Sequence, residues 1–190
     1  MLSFLKHNVT RVWIAAGILA VLALSYALYS IFYIPYSIPP TPFSDYQYTQ
    51  TYSDETYHFS FQYPEGFTVT AVSDMGGEGG KTILVESDDK KVGIQILISS
   101  YGSDVDITEA MIESDIPDMR VSDPQTVEIG SSRKGLAFMS DNPAFGGASR
   151  EVWFVYPEPG RGVASYLYQI STYAEFDELL KAVFGTWTFF

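Results

Sequence analysis

Near the start of the chain one long stretch shows no alternation of apolar and polar residues. From position 12 to position 34 inclusive, 23 residues, nothing is charged, and the apolar side chains fall on every side of a helix instead of along one stripe. At about 1.5 Å per residue such a run reaches across a hydrocarbon layer about 30 Å thick, so the pattern predicts one membrane-spanning helix over residues 12–34. A buried core helix does not fit, because a run apolar all round would dominate so small a domain. Trp13 at one end and Tyr29, Tyr33 and Tyr36 at the other are placed as the aromatic belts of a span are. Lys6 and Arg11 precede the run, the next basic residue is Lys81, and Asp45, Asp54, Glu55 and Glu65 lie between. By the positive-inside rule residues 1–11 form a cytoplasmic tail and the rest is extracytoplasmic, at the cell membrane. Val21-Leu-Ala23 and Ala23-Leu-Ser25 have the small-residue spacing of a signal-peptidase site. The apolar run continues through Ile31, Phe32 and Ile34, however, past the roughly 7 to 15 residues of a signal peptide, which favours an uncleaved anchor.

Pro35, Pro39, Pro40 and Pro42 follow the span. Each locks φ and removes a backbone donor, so neither helix nor central strand continues there. Residues 35–55 read as a stiff, extended extracytoplasmic linker that passes into a polar, tyrosine-dotted stretch, with the folded domain over 56–190.

Period-two alternation then dominates. Tyr57, Phe59, Phe61 and Tyr63 share one parity and His58, Ser60 and Gln62 the other, the pattern of a strand with one buried face. Pro64-Glu-Gly66 turns the chain into a second strand, Phe67 to Val72, and the Gly-rich segment Met75 to Gly80 reads as a loop. Strands at Thr82 to Glu86 and Val92 to Ser99 flank a charged turn, Ser87-Asp-Asp-Lys-Lys91. Asp106-Ile-Thr-Glu109 has capping-box spacing and predicts a short helix ending before Pro117. Four more strands are predicted near 125–129, 135–140, 150–156 and 162–170, as an antiparallel meander. Thr172-Tyr-Ala-Glu175 has the same capping spacing, Phe176, Leu179, Leu180 and Val183 fall at i, i+3, i+4 and i+7, and Gly185 stands where a helix-ending glycine belongs. Thr186 to Phe189 alternates as a closing strand. The fold class is α+β: an antiparallel β-sheet flanked by α-helices, preceded by the transmembrane helix.

The opening Phe59-Ser-Phe61-Gln-Tyr63-Pro64-Glu-Gly66-Phe67, together with the final helix followed by Thr186-Trp-Thr-Phe189, resembles the PsbP-like domain family over roughly Thr56 to Phe190. The resemblance implies an antiparallel sheet flanked by helices and a non-enzymatic domain that binds or steadies another protein. Its motifs are structural, and they carry no functional residue over to this chain. The fold hosts several roles, so it does not name one.

Composition narrows the chemistry. Without cysteine there is no disulfide, thiolate metal site, cysteine nucleophile or lipid-bearing cysteine. All 23 acidic residues follow the span against 9 of the 11 basic ones, so the exported part carries a net −14. Such a field repels phosphates and excludes nucleic acid as a partner. A hydrolase triad needs a histidine, and the exported part offers only His58, inside the alternating stretch. Asp104, Asp106 and Glu109 could supply oxygen ligands to a hard cation, although EF-hand spacing is absent and a solvated turn with a helix cap accounts for the same residues. Asp88-Asp89 read as part of the charged turn. Met75-Gly-Gly-Glu-Gly-Gly80 lacks the Lys-Ser/Thr of a phosphate loop. Phe145, between Pro143 and Gly146-Gly147, could be presented to a partner or tucked onto the core. No catalytic residue, metal or cofactor is expected. Two readings follow: a membrane-tethered interaction or complex-stabilising module for an envelope protein, and, as the alternative, a small-ligand domain with a pocket between sheet and helices.

Overall fold

The alternation at Phe59 is realised in the computed structural model, which describes residues 45–73, 80–130, 133–141, 147–157 and 165–190. The expected tail, span and prolines of residues 1–44 lie outside the described residues, as do Phe145 and most of the Gly-rich segment. Among the described residues no helix is long and apolar enough to cross a membrane.

Among the described residues ten strands and two α-helices run in the order β1 (Gln50–Asp54), β2 (Phe59–Tyr63), β3 (Phe67–Ser73), β4 (Lys81–Ser87), β5 (Gly93–Tyr101), α1 (Glu109–Asp115), β6 (Val121–Ile129), β7 (Arg133–Ser140), β8 (Ser149–Pro157), β9 (Ser165–Tyr173), α2 (Asp177–Phe184) and β10 (Thr188–Phe189). They form two antiparallel sheets where one was expected. The small sheet has the order β1-β2-β10, and the seven-stranded sheet has the order β3-β4-β5-β9-β8-β7-β6. The β6–β9 meander is present. Its last strand returns to pair with β5, so the connection through α1 carries the chain to the far edge of the sheet.

Period two explains the two cores. Phe154 of β8 and Tyr168 and Ile170 of β9 point to one face, with Ile94, Ile96 and Ile98 of β5, and there meet Phe59 and Phe61 of β2, Leu179, Leu180 and Val183 of α2, and Trp187. Trp153, Val155 and Leu167 point to the other face, where Ile107, Ile112 and Met119 cover them around α1. Trp187 lies parallel to Phe59, with ring centroids 4.6 Å apart.

Several boundaries move for local reasons. The fold begins before Thr56: β1 pairs along the whole of β2, and Tyr46 and Tyr48 pack against the main core, so residues 45–55 belong to the domain and not to the linker. The β2 strand starts at Phe59, because His58 sits at φ +52° in the preceding turn. The cap of α1 is Thr108, whose Oγ1 accepts from the Met111 amide at 3.4 Å, and not Asp106. Ile107 before that cap and Ile112 after it are both buried, and this apolar staple sets where the helix begins. Thr172 is still in β9, where its hydroxyl donates to the Gly93 carbonyl at 2.6 Å, and α2 is instead entered through a 3₁₀ turn, Ala174–Phe176. Gly185 keeps φ −60°, so α2 ends without the left-handed residue expected there. The closing strand shortens to Thr188–Phe189.

Candidate functional site

The acidic cluster read from the sequence does not converge. Asp104 accepts both guanidinium nitrogens of Arg133, at 2.8 and 3.2 Å, which occupies its carboxylate as half of an ion pair. Asp106 is exposed, and Glu109 opens α1, where a negative charge suits the helix N-terminus. Among the described residues no group of three or more His, Asp or Glu is arranged to hold a metal ion. His58 is tied to the chain end: its carbonyl accepts from the Phe190 amide at 3.0 Å and its ring lies edge-on to Phe190. Asp89 accepts from the Ser87 hydroxyl at 2.7 Å and from the Lys91 amide, which holds its carboxyl below the usual range. Those residues shape the β4–β5 turn.

Two buried carboxyl groups went unnoticed in the sequence. Glu151 of β8 is 1% exposed. One oxygen accepts from Ser149 at 2.7 Å and Ser140 at 3.3 Å, and the other from Ser171 at 2.5 Å and the Trp153 indole at 3.4 Å. The cluster ties β7, β8 and β9 together by satisfying a buried polar group. Its signal was an acid at the head of the apolar run Val152 to Tyr156, with serines two residues away and on the neighbouring strands. Asp54, 3% exposed, accepts from the Tyr52 hydroxyl at 2.9 Å, from the amides of Thr56 and Tyr57, and from Lys81 of β4. Burial pushes its carboxyl up, but the bonds from Lys81, Tyr52 and the Tyr57 amide outweigh this and leave it below the usual range. Burial, then the bond to Asp54, pushes the Tyr52 hydroxyl up. Burial and the Asp54 charge do the same to Tyr168.

A cleft of about 960 Å³ lies where the end of α1 meets β6 and β7, lined by Met119, Met139, Pro117 and Val121 with polar groups at its rim. Arg120 and Asp141 there engage each other, the Arg120 amide donating to Oδ1 at 3.1 Å.

The seven-stranded sheet leaves two edges, and they differ. At β6 the ladder slips between Ser122 and Gln125, Asp123 stands at φ +52°, Pro124 removes a donor, and Asp123 and Glu128 add charge. Bulge, proline and charge are the devices that blunt a sheet edge. At β3 the seven residues Phe-Thr-Val-Thr-Ala-Val-Ser include no charge and no proline, and the register to β4 runs unbroken from Phe67 to Ser73. Among the described residues β3 pairs on one side only, and Thr70 to Ser73 are exposed, Val72 at 56%.

No family model matches the chain, and no curated protein matches it. Among solved structures it is similar to the solution structure of cyanobacterial PsbP (CyanoP) from Synechocystis sp. PCC 6803, at 14% identity and a TM-score of 0.46, over 74% of this chain and 92% of that one.

Proposed function

We propose that the chain is a membrane-tethered, extracytoplasmic interaction module without catalytic activity, which joins an envelope polypeptide by letting it extend the seven-stranded sheet at β3. The observation that carries this reading is the contrast between the two edges, one blunted by bulge, proline and charge and the other uncharged, regular and exposed. The tether is supported by the uncharged residues 12–34, the basic residues before them, and the acidity of all that follows. The small-ligand alternative has the α1–β6–β7 cleft in its favour, whose volume falls within the ligand range. That cleft is open, and Arg120 and Asp141 at its rim are already paired with each other.

Because the chain has no cysteine, single cysteines report one position at a time. In cells expressing the full chain, Thr70→Cys on β3 should react with a membrane-impermeant thiol reagent from outside. A short thiol cross-linker should join that position to a polypeptide, and Thr126→Cys on β6 should gain no such adduct. Equal adducts at both edges, or none at Thr70, would contradict the edge reading. Labelling only after the membrane is opened would contradict the topology.

A further inference from the structure

The geometry of β3 points to its occupant: we infer, on the basis of the edge reading above, that β3 pairs antiparallel with β3 of a second copy of this chain, giving a closed dimer.

The direction of the backbone groups comes first. The Ser87 amide donates to Val92 of the β4–β5 turn, so in β4 the neighbouring residues Glu86, Leu84 and Thr82 turn their backbone groups toward β3. Their partners are Thr68, Thr70 and Val72. The Asp88 amide donates to the Gly66 carbonyl, which agrees with the same alternation. Phe67, Val69, Ala71 and Ser73 therefore aim N–H and C=O at the free edge. Tyr46 packs against Phe67, and Gln47 accepts from the Glu65 amide, so the first residue of the strand is crowded and Val69 to Ser73 is the open stretch. A two-fold axis at Ala71 sets Val69 against Ser73 of the copy, so that every outward donor in that stretch meets an outward acceptor, whereas an axis at Thr70 sets Val69 against Ala71 and leaves Ser73 facing the crowded Phe67.

The self-complementary backbone groups and confinement to one membrane point to a second copy, and charge restricts where the two can touch. The exported part carries a net −14, so like charges would oppose each other across most of two facing domains. Along β3 there are none, and the side chains brought opposite one another on the outer face are Thr70 and Val72, β-branched residues that suit cross-strand pairing. Two copies held on one membrane by identical tethers also meet at raised effective concentration. The blunted β6 edge keeps the seven-stranded sheet from extending at its other end, so pairing through this sheet stops at two copies.

The test uses the full chain in detergent micelles. Sedimentation should show a concentration-dependent dimer. Thr70→Lys places like charges beside the axis, as direct or diagonal neighbours, and should weaken it roughly tenfold or more, and Ala71→Pro removes an outward amide and should have the same effect. Thr126→Lys on β6 should leave the dimer intact. Both β3 variants should keep the wild-type circular dichroism spectrum, since Thr70 and Ala71 are exposed and the Ala71 amide points away from β4. In Thr70→Cys, a bifunctional thiol reagent spanning about 8 Å should join Cys to Cys, because direct and diagonal partners both fall within that reach. A monomeric wild type, or a dimer that Thr70→Lys leaves unchanged, would overturn the inference. In membranes, adducts from Thr70→Cys to a different polypeptide without a Cys–Cys product would overturn self-pairing and leave the edge reading standing, whereas no adduct of any kind would remove both.

Discussion

At Glu151 a carboxyl group is enclosed by three hydroxyls and an indole, an arrangement that stabilises only while it is complete. Glu151→Ala leaves the Ser149, Ser171 and Trp153 donors without their acceptor, and should lower stability by about 3 kcal/mol in urea unfolding. Asp54 gives a pH signature. Its folded-state pKa is depressed, so it contributes stability above its unfolded value of about 3.9 and loses that contribution as pH falls through the folded value. The stability difference between wild type and Asp54→Asn should therefore be full at neutral pH, shrink below about pH 4 and vanish in stronger acid. A difference that stays constant from pH 7 to pH 2 would contradict this account of Asp54. Neither residue stood out in the sequence, because the partners of Glu151 lie on three strands and Lys81 is 27 positions from Asp54. The cation candidates failed for the same reason: Arg133, which occupies Asp104, lies 29 positions away.

Strands and helices were far more legible, because each buries one face and so writes its period into the sequence. Phe59 and Phe61 on β2, Ile94, Ile96 and Ile98 on β5, and Leu179, Leu180 and Val183 on α2 all occupy the buried positions their periodicity indicated. The β1 strand escaped notice because only Asp54, a charged residue, is fully buried along it. The helix starts were misplaced because a capping motif competes with tertiary demands: the Ile107–Ile112 staple moves the cap of α1, and pairing with β8 and β5 keeps Thr172 in a strand. Trp187 joins elements that are separate in sequence, stacking on Phe59 and on Phe184 of α2, with centroids 4.6 and 5.5 Å apart. Trp187→Ala should cost about 3–5 kcal/mol and release the small sheet from α2. The check is thermal unfolding together with proteolysis near residue 186, and a variant as stable as wild type would contradict the assigned packing.

Over the whole molecule, strand order is what the sequence withheld. The return of β9 to β5 depends on pairings some 70 residues apart, and only that order reveals β3 and β6 as the edges of one sheet. The inequality of those edges carries the proposed function, since the acidity and the uncharged run of residues 12–34 bear only on the proposed placement of the domain. Charge acts here as a modulator: two domains each carrying a net −14 repel, so β3 pairing should tighten as salt rises from low to physiological strength. The most direct measurement is amide hydrogen exchange of the full chain, dilute and concentrated, resolved along β3. The account predicts that Val69, Ala71 and Ser73 exchange quickly when dilute, while Thr70 and Val72 are protected by β4, and that the odd-numbered amides become protected on assembly while those of β6 do not change. Odd-numbered β3 amides whose exchange is indifferent to concentration and to membrane partners would contradict it.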